Sequence, residues 1–236
     1  MSSNKEIFIN SSVGGNRIAI LENKELIELF IDTPEHRRMV GSIYKGRIQN
    51  VIPGMQAAFV DIGYELNAFL PFSEIGNSDN LKNISFDDND KKRTVKSKGK
   101  QYEKLKLNDD IIVQVIKEPF SGKGPRVTTD ISIPGSLMVL VPNENYIGIS
   151  RKINDRYEKR RLRRIAEKFQ PKNFGIIIRT IAEGLNEENL ISDFNRIWKT
   201  WKTVESKSGQ KKSPYTVYKD FDTSEQVIRD LFTSDI

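Results

Sequence analysis

The chain has no cysteine and a single histidine, His36. Without cysteine there are no disulfides and no thiolate metal sites. One histidine argues against a His-based zinc site and a Ser/His/Asp triad, because a lone histidine is more often a surface or capping residue. Long apolar runs are missing too. No stretch reaches bilayer-spanning length, and MSSNKEIFIN lacks the apolar core of a signal peptide. A soluble, cytoplasmic protein with no membrane partner is the expectation. Aspartates and glutamates are many but scattered, so neither a catalytic carboxylate pair nor a metal site is singled out. The segment SGKGPR fails the Walker spacing and reads as a connection between strands, with Lys123 and Arg126 placed to touch phosphates.

What is present is positive charge. The chain has 236 residues, a formal net charge of +6 and a pI of about 9.3. The length suits one large or two small domains. The sign of the charge favours an anionic partner such as nucleic acid.

Strand patterns dominate the first half. EIFINSS, NRIAILEN and ELIELFID alternate, with VGGN and ENKE as turns between them. YKGRIQNVI and MQAAFVDIG follow, joined at Pro53-Gly54, a pair that favours a tight reversal. GYELN leads into AFLPF. Residues 77–101 are polar and without apolar periodicity, and they read as a mobile loop. DIIVQVIKEP and VTTDISI then complete five short strands, the number that suits a small closed barrel of the OB type. Beyond Gly135 the pattern changes. SLMVLVP, FGIIIRT and YTVYKD read as strands. NDRYEKRRLRRIAEKF reads as a helix capped by Asn154, with Tyr157, Leu162, Ile165, Ala166 and Phe169 on its apolar stripe. A second helix carries Leu190, Phe194, Ile197, Trp198 and Trp201 inward, GQKKSP reads as a linker and SEQVIRDLF as a last helix.

Three groups of residues could carry chemistry. Alternation in AAFVDIG puts Ala58, Val60 and Ile62 on one face and Phe59 with Asp61 on the other; Phe69 likewise opposes Ala68 and Leu70. The two rings either lie on a polar, basic face or pack within a barrel whose two faces are both partly buried. On the preceding strand Lys45, Arg47 and Gln49 share a face with Ile43. The first helix has a dense basic face, Arg156, Lys159, Arg160, Arg163 and Arg164, which is either solvated or a phosphate-contacting stripe. IIIRTIAEG ends an apolar strand on Arg179 and Thr180; a guanidinium fork beside a hydroxyl suits phosphate, and a salt bridge to Glu183 is the plainer alternative.

VGSIYKGRIQNVIPGMQAAFVDIGYELNAFLP closely resembles the RNA-binding barrel of the bacterial ribonuclease E/G family, and GKGPRVTTDISIPGSLMVLVP, GISRKI and IIIRTIAEG continue the resemblance in order. It implies an α+β fold, an S1-type OB barrel inserted in a ribonuclease-H-like domain and followed by an α/β 5′-sensor domain. On that pattern residues 1–38 and 213–236 are the two parts of the ribonuclease-H-like domain, 39–128 the barrel and 129–212 the sensor. The resemblance puts RNA-contacting rings at Phe59 and Phe69 and a barrel lysine at Lys123, with Lys45 and Arg47 counted among the RNA contacts. It puts 5′-phosphate ligands at Arg179 and Thr180, with Gly135, Val139 and Arg151 around the terminal nucleotide. The implied partner is single-stranded RNA with a 5′-monophosphate. The family's nuclease centre holds Mg²⁺ on two aspartates of a later domain, and the chain ends at Ile236 without them. No cofactor is therefore expected in this chain, Mg²⁺ is expected in the parent endoribonuclease, and homo-oligomers belong to the longer protein. The rival expectation is a stand-alone RNA-binding or ribosome-associated protein.

Overall fold

The computed structural model describes residues 5–32, 38–76 and 105–220. His36, the loop expected over 77–101 and the helix expected in SEQVIRDLF lie outside the described residues. The chain divides into two compact units, Met1–Met39 with Asp220–Ile236, and Val40–Lys219.

In the first unit β1 (Lys5–Ser12), β2 (Gly15–Glu22) and β3 (Glu25–Asp32) form an antiparallel sheet in that order. Asn23 and Lys24 both take positive φ, 52° and 69°, in the two-residue turn between β2 and β3. That is the primed turn whose twist matches the flanking strands. Ile18 and Ile20 are buried, with Ile7 and Phe30 packed against them.

The second unit holds a closed barrel. Its strands are β4 (Ile43–Ile52), β5 (Ala57–Asp61), β6 (Ala68–Pro71), β7 (Asp110–Lys117) and β8 (Arg126–Thr128), in the order β4-β5-β6-β8-β7. Pairing of β4 with β7, from Ile43 opposite Gln114 to Arg47 opposite Asp110, closes it. The OB-type expectation holds. Val60, Ala58, Leu70, Ala68, Val113, Val127 and Ile48 fill the interior and are essentially inaccessible. At Gly46 a β-carbon would run into the Val60 side chain, so the strand crosses the core where only glycine fits. The β4–β5 reversal is longer than a tight Pro-Gly turn: Pro53–Met55 make a 3-10 turn and Gln56 takes the left-handed conformation, its amide donating to the Pro53 carbonyl. Proline fits the first position of such a turn, where its fixed φ is suitable and its missing donor is not needed.

The rest of the unit is an α/β layer. β9 (Ile133–Pro134), β10 (Met138–Pro142), β11 (Ile147–Ile149) and β12 (Phe174–Ile178) form a sheet in the order β11-β12-β10-β9, with β11 and β12 parallel. Helices α1 (Arg156–Phe169) and α2 (Glu187–Gln210) cover it. The α1 cap is Asp155, one residue after the expected Asn154: its carboxylate accepts from the Tyr157 amide. Leu162, Ile165 and Ala166 are buried as expected, but Tyr157 is 79% exposed. At about 100° per residue it points about 130° away from the buried stripe of Leu162, Ile165 and Ala166, so helical spacing does not place it on that stripe. The α2 stripe is as expected, and Asn186 caps it. Gly209 and Gln210, read as linker, belong to α2.

Contacts from β7 and from the strand after α2 bind barrel to layer. The buried Gln114 amide donates to the Gly41 and Ser132 carbonyls and its oxygen accepts from the Ser132 amide. β13 (Tyr215–Tyr218), expected in the second part of a ribonuclease-H-like domain, pairs with β4 on the barrel. The outer face of β4 at Ile43 is therefore covered by the α/β core.

Candidate nucleic-acid interface

Phe59 and Phe69 face each other across the β5–β6 pair. Their centroids are 5.9 Å apart and the planes are inclined at 61°. Both are half-buried, while their strand neighbours Ala58, Val60, Ala68 and Leu70 are buried. They stand opposite the aliphatic interior of the barrel, an arrangement that a partly buried outer face also accommodates. They form an edge-to-face pair on its outer wall, and such a pair holds its geometry because the quadrupoles attract.

Cationic residues border the pair. Phe69 is in register with Arg126 on β8, and the Phe69 amide donates to the Pro125 carbonyl. This brings the turn Phe120–Lys123 to the Phe69 end of β6. Ser121 and Gly122 have φ of 49° and 73°, and Phe120 and Lys123 exchange both backbone hydrogen bonds. Lys123 is exposed on this turn. A β-carbon at Gly124 would collide with the Asn67 carbonyl, so glycine permits the turn to press against β6. Arg126 is held by Glu74 at 3.0 Å. On the other side of Phe59, Asn50 lies directly opposite, and Arg47 stands opposite Asp61. Arg47 is thus two residues along from the ring, about 7 Å, on the same outer face. Its Nε donates to Ser213 at 3.2 Å, and 43% of its side chain stays exposed.

Lys45 is different. It lies on the same face as Ile43, as alternation implied, and that face is where the α/β layer packs. Its Nζ donates to the Ser208 carbonyl in the last turn of α2 at 2.9 Å and sits 3.3 Å from Asp110, with 15% of the side chain exposed. A cation at a helix C-terminus completes carbonyls that have no partner within the helix. Asp110 is held below the usual carboxylate range, first by its hydrogen bond from Ser213 and further by Lys45 and Arg47. Lys45 fastens the barrel to α2 and does not join the rings.

The residues expected around a 5′-phosphate come together elsewhere. β11 and β12 run parallel with Ile149 opposite Ile178, so Ser150-Arg151 and Arg179-Thr180 leave their C-terminal ends side by side. The Arg179 amide donates to the Leu137 carbonyl at 2.8 Å, and its Nη1 donates to the Gly135 carbonyl at 2.9 Å. The Thr180 and Ser150 hydroxyls are 2.7 Å apart. Such a pair uses one hydrogen internally and leaves the other O–H to donate. Arg151 is exposed beside them, and Val139, half-buried on β10, pairs with Ile177 two residues from Arg179.

The sequence reading missed Asp193. Its carboxylate accepts from the Ser136, Leu137 and Met138 amides at 3.1, 2.9 and 3.2 Å and from Arg196 at 2.6 Å. A β-carbon at Gly135 would strike the Asp193 carboxylate, so Gly135 serves this close approach and leaves its carbonyl for Arg179. The signal was available: Asp193 interrupts the apolar stripe between Leu190 and Ile197, and a carboxylate there needs partners. Ser150 was also missed, although it stands in the quoted GISRKI. Among the described residues no group of three or more His, Cys, Asp or Glu could hold a metal ion.

The sequence is similar to that of known proteins. Residues 37–126 match the S1 RNA binding domain and residues 132–236 match the Ribonuclease E/G family. Ribonuclease G of Salmonella typhimurium is 35% identical over 226 residues, 96% of this chain and 45% of that protein. Ribonuclease G of Haemophilus influenzae is 35% identical over 232 residues, 98% of this chain and 46% of its own length. Ribonuclease E of Synechocystis is 33% identical over 219 residues, 92% of this chain and 30% of its own. The chain thus spans about half the length, or less, of these relatives. With an S1 barrel and the α/β layer matched in sequence over nearly the whole chain, the chain belongs to the ribonuclease E/G family.

Proposed function

We propose that this chain is the single-stranded RNA-binding and 5′-monophosphate-sensing region of an endoribonuclease acting in RNA processing and decay. The observation that carries the reading is the Phe59–Phe69 pair on the outer wall of an S1 barrel, bordered by Lys123, Arg126 and Arg47. Every base has a π-face, so a ring platform accepts any sequence, and each stacked base contributes about 1–3 kcal/mol. The inclined rings suit bases splayed from a single strand, which a stacked duplex does not offer. Lys123 and Arg47 supply charge along the backbone.

The finer part of the proposal is the 5′ end. A terminal monophosphate has extra charge and free oxygens that an internal phosphodiester lacks. The Arg179 fork is oriented through Gly135, and the Thr180–Ser150 pair has a spare O–H. Charge-assisted bonds of this kind contribute about 1.5–3 kcal/mol each.

The test is an anisotropy titration of two short RNAs that differ only in a 5′-monophosphate or 5′-hydroxyl. Phe59→Ala and Phe69→Ala should each weaken both RNAs about five-fold or more with the fold intact, from the stacking term. Arg179→Ala and Thr180→Val should abolish the preference for the monophosphate. Ring variants that fold and bind like wild type refute the platform. An equal loss for both RNAs in Arg179→Ala makes that residue an ordinary backbone contact.

A further inference from the structure

Helix α1 presents a surface that the barrel and the Arg179 site leave unused. Its buried side carries Leu162, Ile165 and Ala166. At about 100° per residue, Arg156, Arg160, Arg163, Arg164 and Tyr157 fall within an arc of about 120° on the opposite side. Glu167 is the single carboxylate in that arc. The acids that flank it are engaged with other cations: Glu158 with Arg161 at 2.6 Å and Glu187 with Lys168 at 2.7 Å. Tyr157 is 79% exposed, and the Arg160 guanidinium lies 5.9 Å from its ring centroid. An exposed ring with a guanidinium beside it, set among further arginines, joins base stacking to backbone attraction.

We propose that this face of α1 is a second docking surface for single-stranded RNA, receiving the strand as it leaves the Ser150–Thr180 crevice. The choice of RNA rests on the RNA-binding reading above. The chain itself links the two places: Ser150 is followed by exposed Arg151 and Lys152, and Arg156 opens the helix. From Arg156 to Arg164 the surface is about 12 Å long. A membrane surface is the other partner for a basic helix, but such helices insert an apolar face into the lipid. In α1 that face is already in the core, where Leu162 and Ala166 have no exposure. An exposed tyrosine also adds little to a duplex, whose bases are stacked already, and so it selects a single strand.

The experiment uses the whole chain with two variants, Tyr157→Ala and the pair Arg160→Gln/Arg164→Gln, all at exposed positions. Affinity for a 20-nucleotide single-stranded RNA is measured across a salt series. Each phosphate contact on a single strand contributes about 0.7 to the slope of log K against log salt, so the arginine pair should lower the slope by about 1.4. Tyr157→Ala should weaken the single strand about five-fold, leave an RNA duplex unaffected and be restored by Tyr157→Phe. Phe59→Ala/Phe69→Ala is titrated in parallel. If the ring variant weakens binding while both α1 variants keep wild-type affinity and slope, the α1 surface is refuted and the barrel reading stands. If none of the variants changes binding, both fall. Loss of binding to vesicles containing phosphatidylglycerol, with RNA affinity unchanged, assigns the surface to lipid and overturns the proposal.

Discussion

Replacing Asp193 by alanine tests how the Arg179 crevice is held. The carboxylate closes the turn Ser136–Met138 with three amide hydrogen bonds and takes a fourth from Arg196. Alanine leaves these donors without their acceptor. Arg196 has 46% of its side chain exposed and rehydrates at little cost. The bonds to Leu137 and Met138 are buried, and an orphaned buried donor costs about 1–3 kcal/mol. The sum is about 2–6 kcal/mol. For a unit of this size 1 kcal/mol moves Tm by about 2–4 °C, so the midpoint should fall by about 4–24 °C. Asp193→Asn keeps an acceptor oxygen and should lose roughly half as much. The assay is thermal unfolding followed by circular dichroism, with a urea titration to check that m is unchanged. An Asp193→Ala variant that melts with wild type would refute the reasoning, because the turn would then be held by Gly135–Met138 backbone bonding alone.

Two other perturbations follow from single contacts. Gly124→Ala should push the Lys123 turn off β6, costing about 1–3 kcal/mol as overpacking does; a Tm equal to wild type contradicts the close approach to Asn67. The Glu158 carboxyl is held below its ordinary 4.5, first by its hydrogen bond from Arg161 and then by the Gly184 amide. A lowered folded pKa contributes stability that is complete above the unfolded value and is lost as pH falls through the folded one. Wild type should therefore be more stable than Glu158→Gln at neutral pH, and the gap should close as pH drops below 4.5. A gap that stays constant through that range rules out the linkage.

Much of the site was legible because strand alternation is a rigid rule. Period two alone put Ala58, Val60 and Ile62 on one face and Phe59 with Asp61 on the other; the structure turns the first set inward. The same rule placed Lys45 on the face of Ile43, yet it could not say what covers that face. The answer depends on where α2 ends and on β13, both more than 160 residues along the chain. The cap of α1 slipped by one because Asn154 and Asp155 are both good acceptors, and only geometry decides which reaches the Tyr157 amide. Tyr157 is apolar enough to be counted with the stripe, but about 100° per residue sets it beside Arg160 and Arg164 on the outer side, where it is exposed. The Arg179 site was half legible: residue types alone left Arg179 and Thr180 between a phosphate fork and a strand-end salt bridge, the resemblance pointed to phosphate, and Ser150 joins them only through parallel pairing of β11 and β12.

The central claim is that a single RNA strand lies on Phe59 and Phe69. Ultraviolet cross-linking of the saturated complex, with the adducted peptides identified by mass spectrometry, measures this directly. The account predicts nucleotide adducts on both phenylalanines, lost when unlabelled single-stranded RNA competes and retained when duplex competes. Adducts confined to other parts of the chain, with both ring-bearing peptides unmodified at saturation, would contradict it.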